Sequence, residues 1–104
     1  MATEQDIQRK ILKYLESKHI YAVKVISASK AGVPDILCCF NGRFIAIEVK
    51  TPMAKYNTSE LQKHNISKII GAGGKALVAW ELKQVEELIE GLDNGTITAP
   101  RSIL

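Results

Sequence analysis

The sequence predicts an α/β fold, a small mixed β-sheet flanked by helices in the order α-β-β-β-α-β-α. Three observations predict it. A helical-period apolar stripe opens the chain, an Asn-Gly pair joins two short apolar strands in the middle, and helix, strand and helix alternate after them. At 104 residues the length suits a single domain spanning residues 1–104, with room for one modest core.

The first helix is expected from Thr3, which can cap it, to about Lys18. Its stripe is Ile7, Ile11 and Leu15, widened by Leu12 and Tyr14. A strand follows in "YAVKVIS", where Tyr21, Val23 and Val25 alternate with smaller or polar residues. The segment "ASKAG" reads as a loop, and Gly32 as a residue permitting a close turn before Pro34. Asn41-Gly42 is the pair favoured in a two-residue type I′ hairpin. After Pro52 comes the polar connector "MAKYN". A second helix is expected over roughly Thr58 to Ile70, closed by Gly71 and the glycines beyond it. "KALVAWE" reads as a buried strand with Trp80 in the core. "KQVEELIEGL" reads as a short helix with Val85, Leu88 and Ile89 inward. The tail "TITAPRSIL" carries no clear pattern.

Composition excludes more than it selects. The chain is 46% hydrophobic and 24% charged, which indicates neither disorder nor a membrane span. Its longest uncharged apolar run, "ILCCF", is far too short to cross a bilayer, and no basic-then-apolar leader suggests secretion. A cytoplasmic location is expected, and no membrane partner. Cys38 and Cys39 point to opposite faces of a strand, so no bridge is expected between them, and both read as buried, reduced thiols. The net charge of +3 is compatible with a polyanionic partner without arguing for one.

The chemistry is concentrated in "GVPDILCCFNGRFIAIEVKTP", residues 32–52. A two-residue loop at Asn41-Gly42 sets Phe40 opposite Arg43, and each outward step pairs the next residues. Asp35 then falls opposite Glu48 in a non-hydrogen-bonded pair, with Cα atoms roughly 4.5 Å apart. Lys50 lies on the same face. Two carboxylates so placed repel, and partial burial raises the cost. Lys50 neutralises one charge and leaves room for a cation. Two carboxylates with space for water and a phosphate oxygen suit Mg²⁺, and phosphodiester hydrolysis is the matching reaction class. A charged cluster at a strand end with no metal is the alternative reading of the same residues.

Two outlying residues have double readings. "SELQ" is a capping box with Ser59 as cap and Gln62 reaching back. Gln62 also begins a stripe with Ile66 and Ile69 that should lie against the sheet, where a polar group needs a partner. Glu4 shares the inward side of the first helix with Ile7 and Ile11, yet an acidic residue in a first turn also suits the helix dipole. His19 and His64 read as surface residues. Ser29 and Lys30 are default loop residues that could touch a phosphate.

"PD" at Pro34-Asp35 and "EVK" at Glu48-Val49-Lys50 resemble the PD-(D/E)xK nuclease signature. More narrowly, residues 32–52 followed by "SELQKHNISKIIGAGGKALVAW" resemble VRR-NUC domains, including short stand-alone versions found in phages. The resemblance implies a restriction-endonuclease-like core and a metal-dependent DNA endonuclease. It implies Mg²⁺ or Mn²⁺ on Asp35 and Glu48, with the Val49 backbone carbonyl as a third ligand. Lys50 would be the catalytic lysine and Gln62 part of the active site. Glu4 would approach the metal directly or through water. Stand-alone relatives resemble Holliday-junction resolvases, which implies a homodimer acting on branched DNA such as four-way junctions, in the host cytoplasm if phage-encoded. Two rival readings remain. One is a non-catalytic DNA-binding or assembly module that keeps the fold. The other is a nuclease subunit active only with a partner.

Overall fold

The computed structural model describes residues 1–94, so the tail from Thr96 lies outside the described residues. Helix α1 runs Glu4–Ser17, and Thr3 caps it in a reciprocal box with Asp6. Strands β1 (Tyr21–Lys24), β2 (Ile36–Phe40) and β3 (Arg43–Val49) follow. A 3-10 turn over Pro52–Ala54 precedes α2 (Glu60–Gly71), strand β4 (Lys75–Ala79) and α3 (Leu82–Asn94). The sheet order is β1-β2-β3-β4. The first two pairings are antiparallel, and β4 runs parallel to β3 after the crossover through α2. This is the predicted element order and the restriction-endonuclease-like architecture.

The hairpin follows the register expected from its turn. Asn41 and Gly42 both have positive φ, 52° and 77°, as a type I′ turn requires. Phe40 pairs with Arg43 and Ile36 with Ile47, with no slip between them. Alternation then gives the sheet two faces. Ile36, Cys38, Ile45, Ile47 and Val49 pack with Ile7, Ile11 and Leu15 of α1 and with Val85 and Ile89 of α3 into one buried cluster. Each such side chain contributes about 1.5–3 kcal/mol by leaving water. Phe44, Ala46, Glu48 and Lys50 alternate onto the other face, where α2 lies.

The second face is only partly covered, and several expectations change there. Strand β1 stops at Lys24 instead of Ser27, and its inward residue is Ala22. Tyr21 is 76% exposed and Val23 is exposed as well. Alternation fixes which residues share a face, but an edge strand does not say which face is covered. Strand β4 is half-buried over Ala76, Leu77 and Val78, with Lys75 exposed and Ala79 buried, Trp80 lies outside the core cluster, and Cys39 is exposed. Cys38 is buried, its thiol pushed up to about 11 by burial, and neither cysteine is bridged. The only buried residue of α2 is Asn65, while Ile66 and Ile69 are half-buried.

Gly32 does more than turn the chain. Its φ is +81°, and a Cβ there would come within 2.8 Å of the Leu61 side chain and 2.9 Å of Asn65. Gly32→Ala is therefore expected to lower stability by about 2–4 kcal/mol, combining left-handed strain with overpacking. Gly71 has open space around it, and Gly71→Ala is expected to be neutral or stabilising by up to about 1 kcal/mol. Urea midpoints of the two variants check both signs.

Candidate active site

The β2–β3 ladder ends at Ile36 and Ile47, one pair short of the predicted facing of Asp35 and Glu48. Continuing the register would set Pro34 against Val49 as the next hydrogen-bonded pair. Proline has no N–H for the Val49 carbonyl, so one of that pair's two bonds cannot form. The other donor, the Val49 N–H, goes to a side chain. Asp35 Oδ2 accepts it at 2.7 Å, while the Asp35 main-chain carbonyl accepts the Val25 N–H at 2.8 Å. Asp35 is thus fixed from β1 by its backbone and from β3 by its side chain.

Glu48 precedes Val49 and points to the α2 face. It is 3% exposed, an unusual degree of burial for a carboxylate. Burial pushes its pKa up from 4.5 to about 8, and the charge of Asp35 and a hydrogen bond with it push the same way. Lys50 opposes the rise and Glu4 adds slightly to it. The Lys50 ammonium lies 3.8 Å from Glu48 Oε2, with both side chains largely buried. The Lys50 N–H is bound to the Ala79 carbonyl at 2.9 Å, which ties this residue to the end of β4.

Gln62 resolves its two readings by satisfying both. Its Oε1 accepts the Ser59 N–H at 2.9 Å and its own N–H meets Ser59 Oγ at 3.1 Å, completing the capping box. The Nε2 end of the same amide donates to Glu48 Oε2 at 3.1 Å. A glutamine suits this place because one end must accept and the other donate.

Two residues escaped the sequence reading. Asn65 donates from Nδ2 to the carbonyls of Ala31, at 3.2 Å, and Leu61, at 2.9 Å. It fastens α2 to the loop that leads into Asp35. Its signal was available, a polar residue one turn after Gln62 on the inward side of a helix. Gln8 is buried one turn after Glu4, and its Oε1 has no protein partner.

The remaining predicted residues are placed less closely. Glu4 is half-buried and near enough for its charge to reach Glu48. Among the described residues no three His, Cys, Asp or Glu side chains gather into a metal-binding group. Ser29 and Lys30 are exposed, and Lys30 borders a groove with Val33, Leu37, Phe44, Lys68 and Ile69. His19 and His64 are exposed, as expected.

Comparison with known families decides the kinship. The sequence model of the archaeal Holliday junction resolvase family (Hjc) matches residues 3–96. The chain belongs to this family. Twelve solved chains also match. One of them, titled "VRR_NUC domain", is 26% identical with a TM-score of 0.68, covering 86% of this chain and 97% of its own. No curated protein matches. A resolvase-family nuclease fold thus carries the Asp35–Glu48–Lys50 set, and among the described residues no helix is long and apolar enough to cross a membrane.

The charge geometry has a consequence for stability. From about pH 4.5 to about pH 8 the folded chain keeps a proton on Glu48 that the unfolded chain has lost. Stability of the metal-free protein should therefore fall as pH rises through that window. Glu48→Gln should remove most of this slope and be the more stable protein at pH 8. Urea midpoints at pH 5 and pH 8 in EDTA read both.

Proposed function

We propose that this resolvase-family chain is a Mg²⁺- or Mn²⁺-dependent DNA endonuclease acting on branched DNA such as four-way junctions. The supporting observation is a buried Glu48 beside Asp35, with Lys50 against the pair, at the point where Pro34 opens the sheet. Two neighbouring carboxylates of which one is nearly inaccessible are short of positive charge, and oxygen donors of this kind suit a hard divalent cation.

Asp35 and Glu48 would hold the cation, with the Val49 carbonyl as third donor. The Lys50 N–H faces β4, so the Val49 carbonyl faces β2, where Pro34 has no N–H to offer it. When bound, the cation polarises the phosphodiester and acidifies water. Lys50 orients the attacking water and balances charge gathering on the phosphate oxygens. Gln62 steadies Glu48 through Oε2, the oxygen that also faces Lys50. Water adds to phosphorus, a P–O bond breaks, and the leaving oxygen takes a proton. Glu4, whose charge reaches Glu48, would approach the cation directly or through water. Ser29 and Lys30, exposed on the loop leading to Gly32, would touch a neighbouring phosphate.

Specific protein–DNA interfaces bury on the order of 1,000–2,500 Å² of protein, a large demand on 104 residues. A homodimer supplies that surface and places two sites for paired cuts.

Labelled duplex, flap and four-way-junction DNA, incubated with the protein and Mn²⁺ or Mg²⁺ against EDTA, tests the reading. Cleavage should require metal and rank the junction first. Lys50→Ala and Asp35→Ala should each lose about 10²–10⁴-fold. Gln62→Ala should lose less, together with about 1 kcal/mol of cap stability. Mn²⁺ should also raise the Tm of wild type at pH 8 and not that of Asp35→Ala. Folded wild type that cuts none of these substrates overturns the proposal.

A further inference from the structure

Beyond Lys50 the chain doubles back. Ala54 donates its N–H to the Thr51 carbonyl at 3.0 Å and Asn57 to that of Ala54 at 2.9 Å, two tight turns in succession. They bring Lys55 against Trp80, just past the end of β4, and leave Tyr56 beside it in solvent. The Lys55 ammonium lies 5.1 Å from the centre of the Trp80 ring and 5.2 Å from that of Tyr56. Trp80 follows Ala79, whose carbonyl holds the Lys50 N–H. The indole that backs this cation therefore belongs to the residue next to the main-chain bond that positions Lys50.

The cluster is not core packing. Lys55 and Trp80 are half-buried, but Tyr56 is 85% exposed and Met53, in the same turn, 81%. Single exposed apolar residues need no explanation. A ring held in water against a lysine that is itself backed by an indole is a different object. It presents a flat π-face beside a phosphate-binding charge, the pairing used wherever proteins hold unpaired nucleotides. An ammonium resting on ring faces still has hydrogens for a phosphate oxygen.

We propose that Tyr56, supported by Lys55 and Trp80, receives an unstacked nucleobase beside the phosphate to be cut, with Lys55 on the adjoining phosphate. The proposal rests on the nuclease reading for the location of that phosphate. It identifies the substrate as DNA with an unstacked nucleotide, as at a flap, gap or branch, in preference to continuous duplex.

The test is binding in EDTA, where cleavage cannot intervene. Fluorescence anisotropy compares a flap with a blunt duplex, and 2-aminopurine at the first unpaired position of the flap reports stacking. Wild type should quench the 2-aminopurine. Tyr56→Ala should relieve the quenching and weaken flap binding about 10-fold, with duplex binding unchanged within about 2-fold. Tyr56→Phe should behave as wild type. Lys55→Ala should weaken both DNAs and flatten the salt dependence. Absence of quenching by wild type overturns the proposal, as does a Tyr56→Ala loss that is nil or equal on both DNAs. Mn²⁺ cleavage of the same substrates reads the nuclease assignment separately. Quenching and discrimination without cutting support the stacking site and defeat the nuclease reading. Cutting with no effect of Tyr56→Ala on binding does the reverse.

Discussion

A hydrogen bond that a strand would normally supply is supplied here by a side chain. At Val49 the antiparallel ladder would pair with Pro34, and the Val49 N–H that a main-chain carbonyl would accept goes to the Asp35 carboxylate, while Pro34 has no N–H for the Val49 carbonyl. That substitution sets what surrounds it. It brings a carboxylate against the end of β3, next to the buried Glu48, and so creates the charge excess that Lys50 answers only in part.

The opposite side of the site is held by α2 through two side chains with unequal tasks. Gln62 completes the N-terminal cap of the helix and restrains Glu48 with one amide. Asn65, one turn on, grips the loop carrying Gly32, where the absence of a Cβ lets Leu61 and Asn65 come close. The helix contributes little apolar burial, with Leu61 and Ile70 about half exposed. Its position is set by directional bonds more than by area. Such bonds hold geometry well and add modestly to stability.

Much of this was legible in the sequence because the hairpin has no freedom. Asn41-Gly42 admits one register, and that register alone brings Asp35, Glu48 and Lys50 to one end of one face. The cap on α2 and the inward turn of Gln62 were each legible too. What could not be read was that one amide does both, since this depends on how far α2 stands from the sheet. The faces of β1 were misjudged for a related reason. Tyr21 and Val23 alternate as a buried pair would, but burial requires a covering layer, and nothing in the strand says whether one is there. Trp80 was expected in the core on hydrophobicity. It is instead a ring with a lysine on its face, and that partner comes from a turn 25 residues earlier in the chain.

The two-residue turn also sets an order of events. Hairpins close in about 1–10 μs, and a short loop costs little entropy to form. The β2–β3 pairing therefore needs neither α2 nor β4, both of which come later in the chain. The Asp35–Glu48 end of the hairpin can thus be brought together by local contacts alone, whereas the Gln62 and Ala79 bonds that steady it need chain that follows.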